Sequence, residues 1–336
     1  MSIANQDITV VVQGPVQALP DRNMDEGITV RSLASIRKYL PGAHILLSTW
    51  EGQPTEGLDY DELLLNKDPG PNINRYRADG TADKTNNNRQ LVSTLNGLKR
   101  VKTKYAMKLR SDNFLTSDAF KHLQQAFPKR ASEYCFLKER VVVNNTFTRD
   151  YAKGLPVVFH ACDFFYFGLT EDVLALWDIP WFDDLVYDES RKGQEQHDGF
   201  PCFMPDCTQR FWLKALQKFD PSIQIKHLHD YSPALKRISD LCYVNNLVIG
   251  EPEVIGLGLN TKFSGDERAN RIGSLITYIH HLAWQRLYKK YCDPAHAIPG
   301  NLADIVRTKL LRLILLTPKR LEGALRLKKQ QAKQRS

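Results

Sequence analysis

The sequence predicts an α/β fold, in which helices flank a mostly parallel, Rossmann-like sheet and a helical appendage follows at the C-terminus. Aliphatic, β-branched runs alternate with segments of helical spacing from Ile8 onward, which is the order of β-α-β units. Hydrophobic residues form 42% of the 336-residue chain, enough for a packed core. The last two segments, 270–291 and 302–329, both have helical spacing.

The first third of the chain predicts successive β-α-β units. Ile8-Thr9-Val10-Val11-Val12 has the composition of a buried parallel strand, and Pro41-Gly42 ends the helix that follows. A right-handed crossover then makes the first two strands a parallel pair. The predicted elements are strand 8–12, helix 29–39, strand 43–50, strand 63–66, helix 86–98 and strand 105–110.

A polar stretch of about 15 residues follows the third strand. Lys67-Asp68-Pro69-Gly70-Pro71 opens it, and Pro and Gly are strong breakers of regular structure. Connections of this length are uncommon inside a domain, so we predict a lid or binding loop, with plain surface disorder as the alternative.

The remainder of the chain predicts further strands and then the C-terminal helices. Thr170-Glu171-Asp172-Val173 has a helix-capping pattern. We expect an α/β domain over residues 1–265 and a helical region over residues 266–336 that ends in a basic amphipathic tail. The predicted elements are helix 117–126, strands 135–137 and 140–143, one or two strands in 157–168, helix 170–177, helix 204–219 and a strand at 225–230.

The positive charge is concentrated in the tail. Residues 301–336 hold ten Lys or Arg and two acidic residues, which equals the net charge of +8 of the whole chain. The preceding 300 residues are therefore neutral by count. A general nucleic-acid binder would carry its basic residues on the folded body, so no nucleic-acid partner is expected.

The six cysteines and the apolar runs favour a cytoplasmic location. No two cysteines form C-x-x-C or a paired zinc spacing, so free thiols in a reducing compartment are expected. The first residues lack the pattern of a secretory signal. No apolar run approaches the roughly 20 residues that span a bilayer.

Asp112 is the leading candidate site residue, because it follows the strand 105–110. Ligands of open α/β sheets bind beyond the carboxyl ends of strands. One or two protein carboxylates hold Mg²⁺ or Mn²⁺ when phosphates supply the other ligands, so Asp112 is predicted to hold such a metal on a diphosphate. An ordinary turn or capping Asp is the alternative.

Lys108 and Arg110 alternate onto one face of the same strand. Cations inside a sheet are costly unless they have a partner, and a donor phosphate would be one. A metal-free alternative follows, in which Lys108 and Arg110 neutralise the leaving phosphate.

Two further polar groups are predicted to contact a nucleotide. Gln13-Gly14-Pro15 ends the first strand, and Gly14 would let the backbone approach a base or ribose closely, although a simple βα turn explains the motif equally well. Asn87, Asn88 and Arg89 begin a helix, and a helix N-terminus suits an anion or a base edge, with N-capping as the alternative. No dinucleotide or P-loop glycine motif is present.

A strand, a polar helix start, a second strand and then Arg110-Ser111-Asp112 is the arrangement expected of a nucleotide-sugar site. Sugar transfer with inversion at such a site needs a base to take the proton of the acceptor hydroxyl. Asp163 is favoured because it lies among aromatic residues and Cys162, and Asp206 because it opens a helix, which is also an ordinary capping position. His229, which alternates with His227, either completes a metal site or is a histidine at the edge of the core. The full set of candidate bases is His160, Asp163, Asp183, Asp184, Glu195, Asp198 and Asp206.

The tail from Leu302 to Leu327 combines leucines and isoleucines with basic residues, and Pro318 divides it. A basic amphipathic helix is typical of binding to an anionic membrane surface, where each basic residue contributes roughly 1 kcal/mol. The alternative is a helix packed on the body with a solvated basic face.

Six motifs together resemble the WavE-type lipopolysaccharide synthesis family, most clearly over the first 170 residues or so. They lie at 8–15, 35–43, 46–52, 68–70, 86–90 and 108–112. The resemblance implies a GT-A-like glycosyltransferase that moves a sugar from a nucleotide-sugar to a lipopolysaccharide core or related lipid-linked saccharide. It also implies that Gln13, Gly14 and Glu51 hold the nucleotide and that Asp112 holds metal or donor sugar.

Two other functions remain as alternatives. A sugar-phosphate nucleotidyltransferase would carry a Gly-rich basic loop after the first strand, where this chain has Gln13-Gly14-Pro15. A non-catalytic, membrane-associated partner in glycan assembly would bind no nucleotide. For the enzyme, we expect a peripheral position on the inner face of the cytoplasmic membrane.

Overall fold

The structure is a computed structural model that describes residues 3–16, 24–264 and 276–332. Its strands are β1 (Ile8–Gln13), β2 (His44–Trp50), β3 (Glu62–Asn66), β4 (Asn72–Tyr76), β5 (Ala82–Thr85), β6 (Tyr105–Arg110), β7 (Asn113–Leu115), β8 (Val141–Asn144), β9 (Tyr151–Ala152), β10 (Leu155–Pro156), β11 (Phe165–Leu169), β12 (Gln196–His197), β13 (Leu247–Gly250) and β14 (Leu257–Leu259). Its helices are α1 (Ile28–Tyr39), α2 (Asn87–Leu98), α3 (Ala119–Gln125), α4 (Thr170–Trp177), α5 (Cys207–Phe219), α6 (Pro233–Asn246), α7 (Pro252–Ile255), α8 (Thr261–Ser264), α9 (His281–Tyr291) and α10 (Asn301–Ala332).

Seven strands form the central sheet in the order β13-β8-β11-β6-β1-β2-β3. Only β11 runs antiparallel to its neighbours β6 and β8; the other pairs are parallel. The predicted fold class is therefore confirmed. All six residues of β1 are buried, as a continuous β-branched run predicts for a strand covered on both faces.

The strand order creates a crevice beside β1. The chain passes from β1 to β2 and β3 on one side and returns on the other side of β1 as β6. The carboxyl ends of β1, β2, β6, β8 and β13 all lie at one edge of the sheet, and the antiparallel β11 begins at that edge. Ligands of open α/β sheets bind at such an edge.

The predicted polar loop after β3 is instead a hairpin of β4 and β5, which β12 extends. Arg75 pairs with Asp83 across the hairpin and with Glu195 at 3.0 Å. Cross-strand ion pairs, rather than an apolar alternation, hold these strands together. Hydrophobic periodicity therefore gives no signal for these three strands.

Several predicted short elements are wrong. Residues 135–137 form no strand, and 225–230 consists of bends and turns in which Asp230 accepts from the Lys226 amide at 2.8 Å. Of the one or two strands predicted in 157–168, one is present, β11, which begins at Phe165. No side chain caps α4, because its N-cap position is Leu169, and the hydroxyl of Thr170 instead donates to the carbonyl of Thr103. In each case a tertiary hydrogen bond or an irregular backbone replaces the local pattern.

The C-terminal helices pack against the α/β body. Trp284 and Tyr288 of α9 are buried in the main core, where both rings contact Phe127. In α10, Leu316 is buried and Leu327 packs on a small apolar cluster under β9. The division at residue 265 stays a prediction, and residues 270–275 of the predicted helix lie outside the described residues.

Helix α10 is continuous through Pro318. The prediction that Pro318 divides this segment is therefore wrong. Its inner side approaches the β9–β10 turn closely: a Cβ on Gly323 would lie 2.5 Å from the carbonyl oxygen of Lys153. The turn contributes a glycine of its own, Gly154, against the backbone of Lys319. No helix in the described ranges has a stretch long and apolar enough to cross a bilayer.

Replacing Gly323 with leucine should loosen α10 from the β9–β10 turn, because the new side chain has no space beside the Lys153 carbonyl. Overpacking of this kind costs about 1–3 kcal/mol. We expect faster proteolysis within α10 and a lower melting temperature for Gly323→Leu. Ala303→Leu, at an exposed position of the same helix, is the control, and equal behaviour of the two variants would contradict the packing argument.

Candidate functional site

A narrow pocket of about 50 Å³ lies beyond the carboxyl ends of β1, β2 and β6. It brings together six of the predicted site residues, namely Gln13, Gly14, Pro15, Arg89, Arg110 and Asp112. The other lining residues are Trp50, Asp68, Asn86, Gln90, Ser93 and Ser111.

The segments that follow β1 and β6 are bonded to each other at the base of this pocket. The Ser111 amide donates to the Gln13 carbonyl at 2.8 Å, and the Ser111 hydroxyl donates to the Pro15 carbonyl at 2.6 Å. Gly14 has φ +116°, and a Cβ there would lie 3.0 Å from the Ser111 oxygen. Both the backbone conformation and the close approach therefore require glycine at this position.

Arg110 and Asp112 form a bidentate ion pair. Arg110 Nε donates to Oδ1 at 2.7 Å and Nη2 to Oδ2 at 2.6 Å. Asn260 Nδ2 also donates to Asp112 Oδ2, at 3.1 Å. Burial opposes the charge of Arg110, but the Asp112 carboxylate outweighs it and raises the pKa of the guanidinium. The buried cation predicted to need a phosphate thus has a carboxylate partner within its own chain.

A second arginine–carboxylate pair lies across the pocket. Arg89 Nε and Nη2 donate to Asp68 at 2.8 and 2.7 Å. The hydrogen bond from Arg89 lowers the pKa of Asp68 below its usual value. Two guanidinium groups and two carboxylates therefore balance formally within the lining of the pocket.

Asn86, rather than Asn87 or Asn88, contributes to the pocket, where its carbonyl oxygen accepts from Arg89 Nη1 at 2.8 Å. The amide of Asn88 is buried and exchanges two hydrogen bonds of 2.8 Å with the main chain of Phe182. Asn87 is also buried and accepts from Cys207 Sγ at 2.9 Å. The N-cap position of α2, Asn86, makes no side-chain capping bond, so both predicted roles are corrected.

Glu51 is an exposed turn residue, and its neighbour Trp50 lines the pocket instead. Successive residues of an extended chain point to opposite sides, so Trp50, the last residue of β2, and Glu51 do not face the same way. The nucleotide-binding role that the family resemblance implied for Glu51 therefore has no support in its position.

Lys108 is completely buried and does not line the pocket. Its ammonium donates to the main-chain carbonyl of Asp163, contacts that of Phe164 at 3.5 Å and lies 4.6 Å from the centre of the Trp177 ring. Burial lowers the pKa of Lys108 to about 7. Its position does not support the predicted direct contact with a phosphate, since the ammonium binds the main chain just before β11.

Asp163 and Asp206, the two predicted bases, lie in different environments. Gln90, which lines the pocket, donates through Nε2 to the carboxylate of Asp163. Asp206 caps α5 and is bound by His160 Nε2 at 2.6 Å and by the Thr208 hydroxyl at 2.7 Å. Burial opposes ionisation of Asp206, but His160, Arg149 and Thr208 outweigh it and hold the pKa of this carboxyl well below its usual range.

The predicted metal pair of Asp112 and His229 is not brought together. His229 lies under β10, with Nδ1 3.2 Å from the Pro156 carbonyl and its ring beside Phe203. Burial lowers its pKa to about 4. Within residues 3–16, 24–264 and 276–332, no three His, Cys, Asp or Glu side chains are grouped so that they would hold a metal ion. The protein ligands alone do not fit a resident metal.

The sequence matches the family model for WavE lipopolysaccharide synthesis over residues 8–316. The chain belongs to the WavE lipopolysaccharide synthesis family. The match confirms the resemblance and extends it from the first 170 residues to the first half of α10. Membership assigns this WavE-family chain to lipopolysaccharide synthesis. A search of curated proteins finds no match to it.

Three solved structures align with part of the chain. A 4-diphosphocytidyl-2C-methyl-D-erythritol synthase from Anaerococcus prevotii DSM 20548 is 12% identical, with a TM-score of 0.28 over 63% of this chain and 96% of that one. HddC from Yersinia pseudotuberculosis is 12% identical, with 0.28 over 63% and 99%. The same protein complexed with GMP-PN is 11% identical, with 0.27 over 63% and 98%. The fold assignment rests on the sheet order described above.

The pocket residues that sequence reasoning missed carry a detectable signal. Asn86, Gln90 and Ser93, which were missed, recur at helical spacing with the predicted Arg89 and form one polar face at the start of α2 toward the pocket. Their spacing, rather than their position at the helix start, identifies which side chains point to the site. Trp50 and Ser111 each adjoin a predicted site residue at a strand end.

Lys108 should make stability depend on pH above neutrality. Between pH 7 and 10.5 the folded protein holds a neutral Lys108 and the unfolded chain a protonated one, so the free energy of unfolding rises with pH. Lys108→Met lacks this titration. We expect the wild type to gain about 1 kcal/mol per pH unit relative to the variant, measured by urea unfolding from pH 7 to 10. Exposed Lys102→Met is the control, and parallel curves for all three proteins would refute the assignment.

Proposed function

We propose that this chain is a glycosyltransferase that moves a sugar from a nucleotide-sugar donor to a lipopolysaccharide core or related surface glycan. The observation that carries the proposal is the position of the pocket at the crevice between β1 and β6, where the strand order reverses. Open α/β sheets bind nucleotides at such points. Arg89 and Arg110 supply two guanidinium groups there, which suit the phosphates of the donor.

The ion pairs of the pocket support a route for donor binding. Phosphate oxygens accept the same bidentate hydrogen bonds that Asp68 and Asp112 now accept, so a diphosphate would compete for these N–H groups. Trp50 supplies an aromatic ring for base stacking. When the bond from the sugar to the diphosphate breaks, the guanidinium groups stabilise the charge on the leaving phosphate.

Metal dependence is part of the same proposal. Asp112 is a single carboxylate that already binds Arg110, so Mg²⁺ or Mn²⁺ would be held there only together with donor phosphate oxygens. Such an ion would supply further positive charge to the leaving group. The two guanidinium groups of Arg89 and Arg110 support the alternative in which the leaving phosphate is neutralised without a metal.

Asp163 is the better candidate for the base that takes the acceptor proton. It adjoins the pocket through Gln90 and lies at the sheet edge where β11 begins. Asp206 ranks second, because three partners hold its carboxylate and its low pKa makes it a weak proton acceptor.

Helix α10 supports a peripheral position on the cytoplasmic membrane surface. Seven large apolar side chains on its outer side are 55–75% exposed, at Leu302, Val306, Leu310, Leu313, Ile314, Leu321 and Leu325. Exposed basic residues flank this apolar stripe, including Arg307, Lys309 and Lys319. An apolar stripe with basic flanks matches a surface of anionic lipids, where the lipid-linked acceptor would also lie.

Nucleotide binding tests the donor site. One member of a panel of UDP, GDP, CMP, ADP and dTDP should stabilise the protein by roughly 2.7 kcal/mol at 100 times its Kd, measured by thermal shift. Arg110→Gln should abolish this response and lower sugar transfer about 100-fold. Arg77→Gln, an exposed arginine outside the pocket, should preserve both.

The same thermal shift, measured with Mn²⁺ and with a chelator, distinguishes metal-dependent from metal-free binding of the nucleotide. Loss of the shift on chelation would place a metal beside Asp112, and an unchanged shift would support the arginines alone. A wild-type protein that responds to no nucleotide would contradict the transferase proposal and favour the non-catalytic assembly partner.

Membrane binding is tested on the apolar stripe. Leu310→Glu with Leu313→Glu places two charges on the exposed face without touching the buried Leu316. We expect this double variant to lose cosedimentation with vesicles that contain anionic lipid, whereas Val30→Glu with Val186→Glu, at exposed positions elsewhere, should keep it. Full cosedimentation of the α10 variant would remove the helix as the anchor.

A further inference from the structure

A second cavity, of about 870 Å³, lies at the same edge of the sheet as the donor pocket. It begins where β8 and β13 end, at Asn145, Thr146 and Glu251, and α10 closes its far side. Cavities of this size hold ligands of several hundred daltons. We propose that this cavity binds the saccharide portion of the glycan acceptor, an inference that rests on the glycosyltransferase function proposed above.

The two cavities share a wall. Asp112 lines the donor pocket, and Phe114, two residues later, lines the second cavity. Across this wall Asn260 donates to Asp112 at 3.1 Å, while the residues on either side of Asn260 line the second cavity. An acceptor hydroxyl at this wall therefore lies next to the carboxylate that faces the donor.

The start of β11 separates the cavities along the sheet edge. In the sheet order, β11 lies between β8, which leads to the second cavity, and β6, which leads to the donor pocket. Asp163 and Phe164 immediately precede it, and Phe164 lies 4.7 Å from the Arg110 guanidinium carbon. Asp163 thus lies at the part of the sheet edge between the two strands that lead to the cavities.

The charges of the second cavity fit a sugar better than a nucleotide. Four carboxylates line it with two arginines, Arg31 and Arg307, and with His280, which pairs with the Glu251 carboxylate at 2.9 Å. An excess of carboxylates repels phosphates but accepts hydrogen bonds from hydroxyl and amino groups. The carboxylates belong to Asp25, Glu251, Glu253 and Asp304.

The aromatic groups agree with this chemistry. Phe114 and Tyr278 both line the cavity, and Arg31 covers the Phe114 ring at 3.6 Å. Aromatic surfaces beside a few polar groups are typical of sites that hold a ligand with both apolar and hydroxyl-bearing faces. Gly258 is required here, because a Cβ at that position would lie 2.1 Å from the Phe114 ring.

Helix α10 places the cavity next to the apolar stripe. Arg307 and Leu311 line the cavity, while Val306 and Leu310, the residues before them, are 58% and 55% exposed. With the stripe on a lipid surface, the mouth of the cavity would lie at the depth where the first sugars of a lipid-linked glycan emerge. The geometry therefore favours a lipid-linked saccharide over a free sugar.

The test fills the cavity with a large side chain and measures the binding of oligosaccharide and of nucleotide separately. Thr308 lines the cavity on α10, and Thr317 is an exposed threonine on the same helix. The probe is deacylated lipopolysaccharide core oligosaccharide, and its binding is measured by saturation-transfer NMR. We expect Thr308→Trp to weaken oligosaccharide binding at least 10-fold, and Thr317→Trp to leave it unchanged.

A second variant guards against a local folding defect. Glu253→Ala removes an exposed carboxylate at the rim without disturbing packing and should weaken the oligosaccharide several-fold. The thermal shift with the responding nucleotide should be the same in all three variants, which shows that they are folded.

The outcomes are distinct. Oligosaccharide binding unchanged by both cavity variants, or absent from the wild type, would overturn the acceptor site while nucleotide binding still upheld the transferase. Oligosaccharide binding that is lost in the cavity variants, in a protein that binds no nucleotide, would support the cavity as a glycan site and overturn the transferase.

Discussion

The candidate site depends on the bidentate ion pair between Arg110 and Asp112. Both side chains are nearly buried, and removing one partner of such a pair costs about 3–5 kcal/mol because the other charge is left without compensation. The pair also joins three parts of the chain: the end of β6, Phe164 just before β11, and Asn260 before α8. Through these contacts one buried charge pair sets the shape of the sheet edge.

The parts of the fold that sequence reasoning predicts are those determined by burial. Strands β1, β2, β3 and β6 are apolar runs ended by breakers, and their positions agree with the structure within a few residues. The hairpin of β4 and β5 escapes prediction because charged pairs such as Arg75–Asp83 hold it. Residues 225–230 were wrongly predicted to be a strand. Their polar and apolar residues alternate, but within the described residues no neighbouring strand pairs with them.

The site shows the same division. Residues at strand ends, such as Gly14 and Asp112, were predictable because parallel strands present their carboxyl ends at one edge. Asn87 and Asn88 were not, because a helix start fixes where a helix begins but not which of its sides faces the sheet. Lys108 shows a further limit of sequence reasoning. The alternation of strand residues predicted that it faces the same side as Arg110, but the hydrogen bond to the Asp163 carbonyl determines where its ammonium lies.

Helix α10 has one consequence for substrate encounter. A helix of 32 residues is about 48 Å long, and its inner side contacts the body at both Leu316 and Gly323. A body attached along such a length would keep a single orientation on a bilayer. Its search for an acceptor would then be two-dimensional diffusion with the cavity mouth already facing the lipid, whereas the nucleotide-sugar would arrive by three-dimensional diffusion from the opposite side.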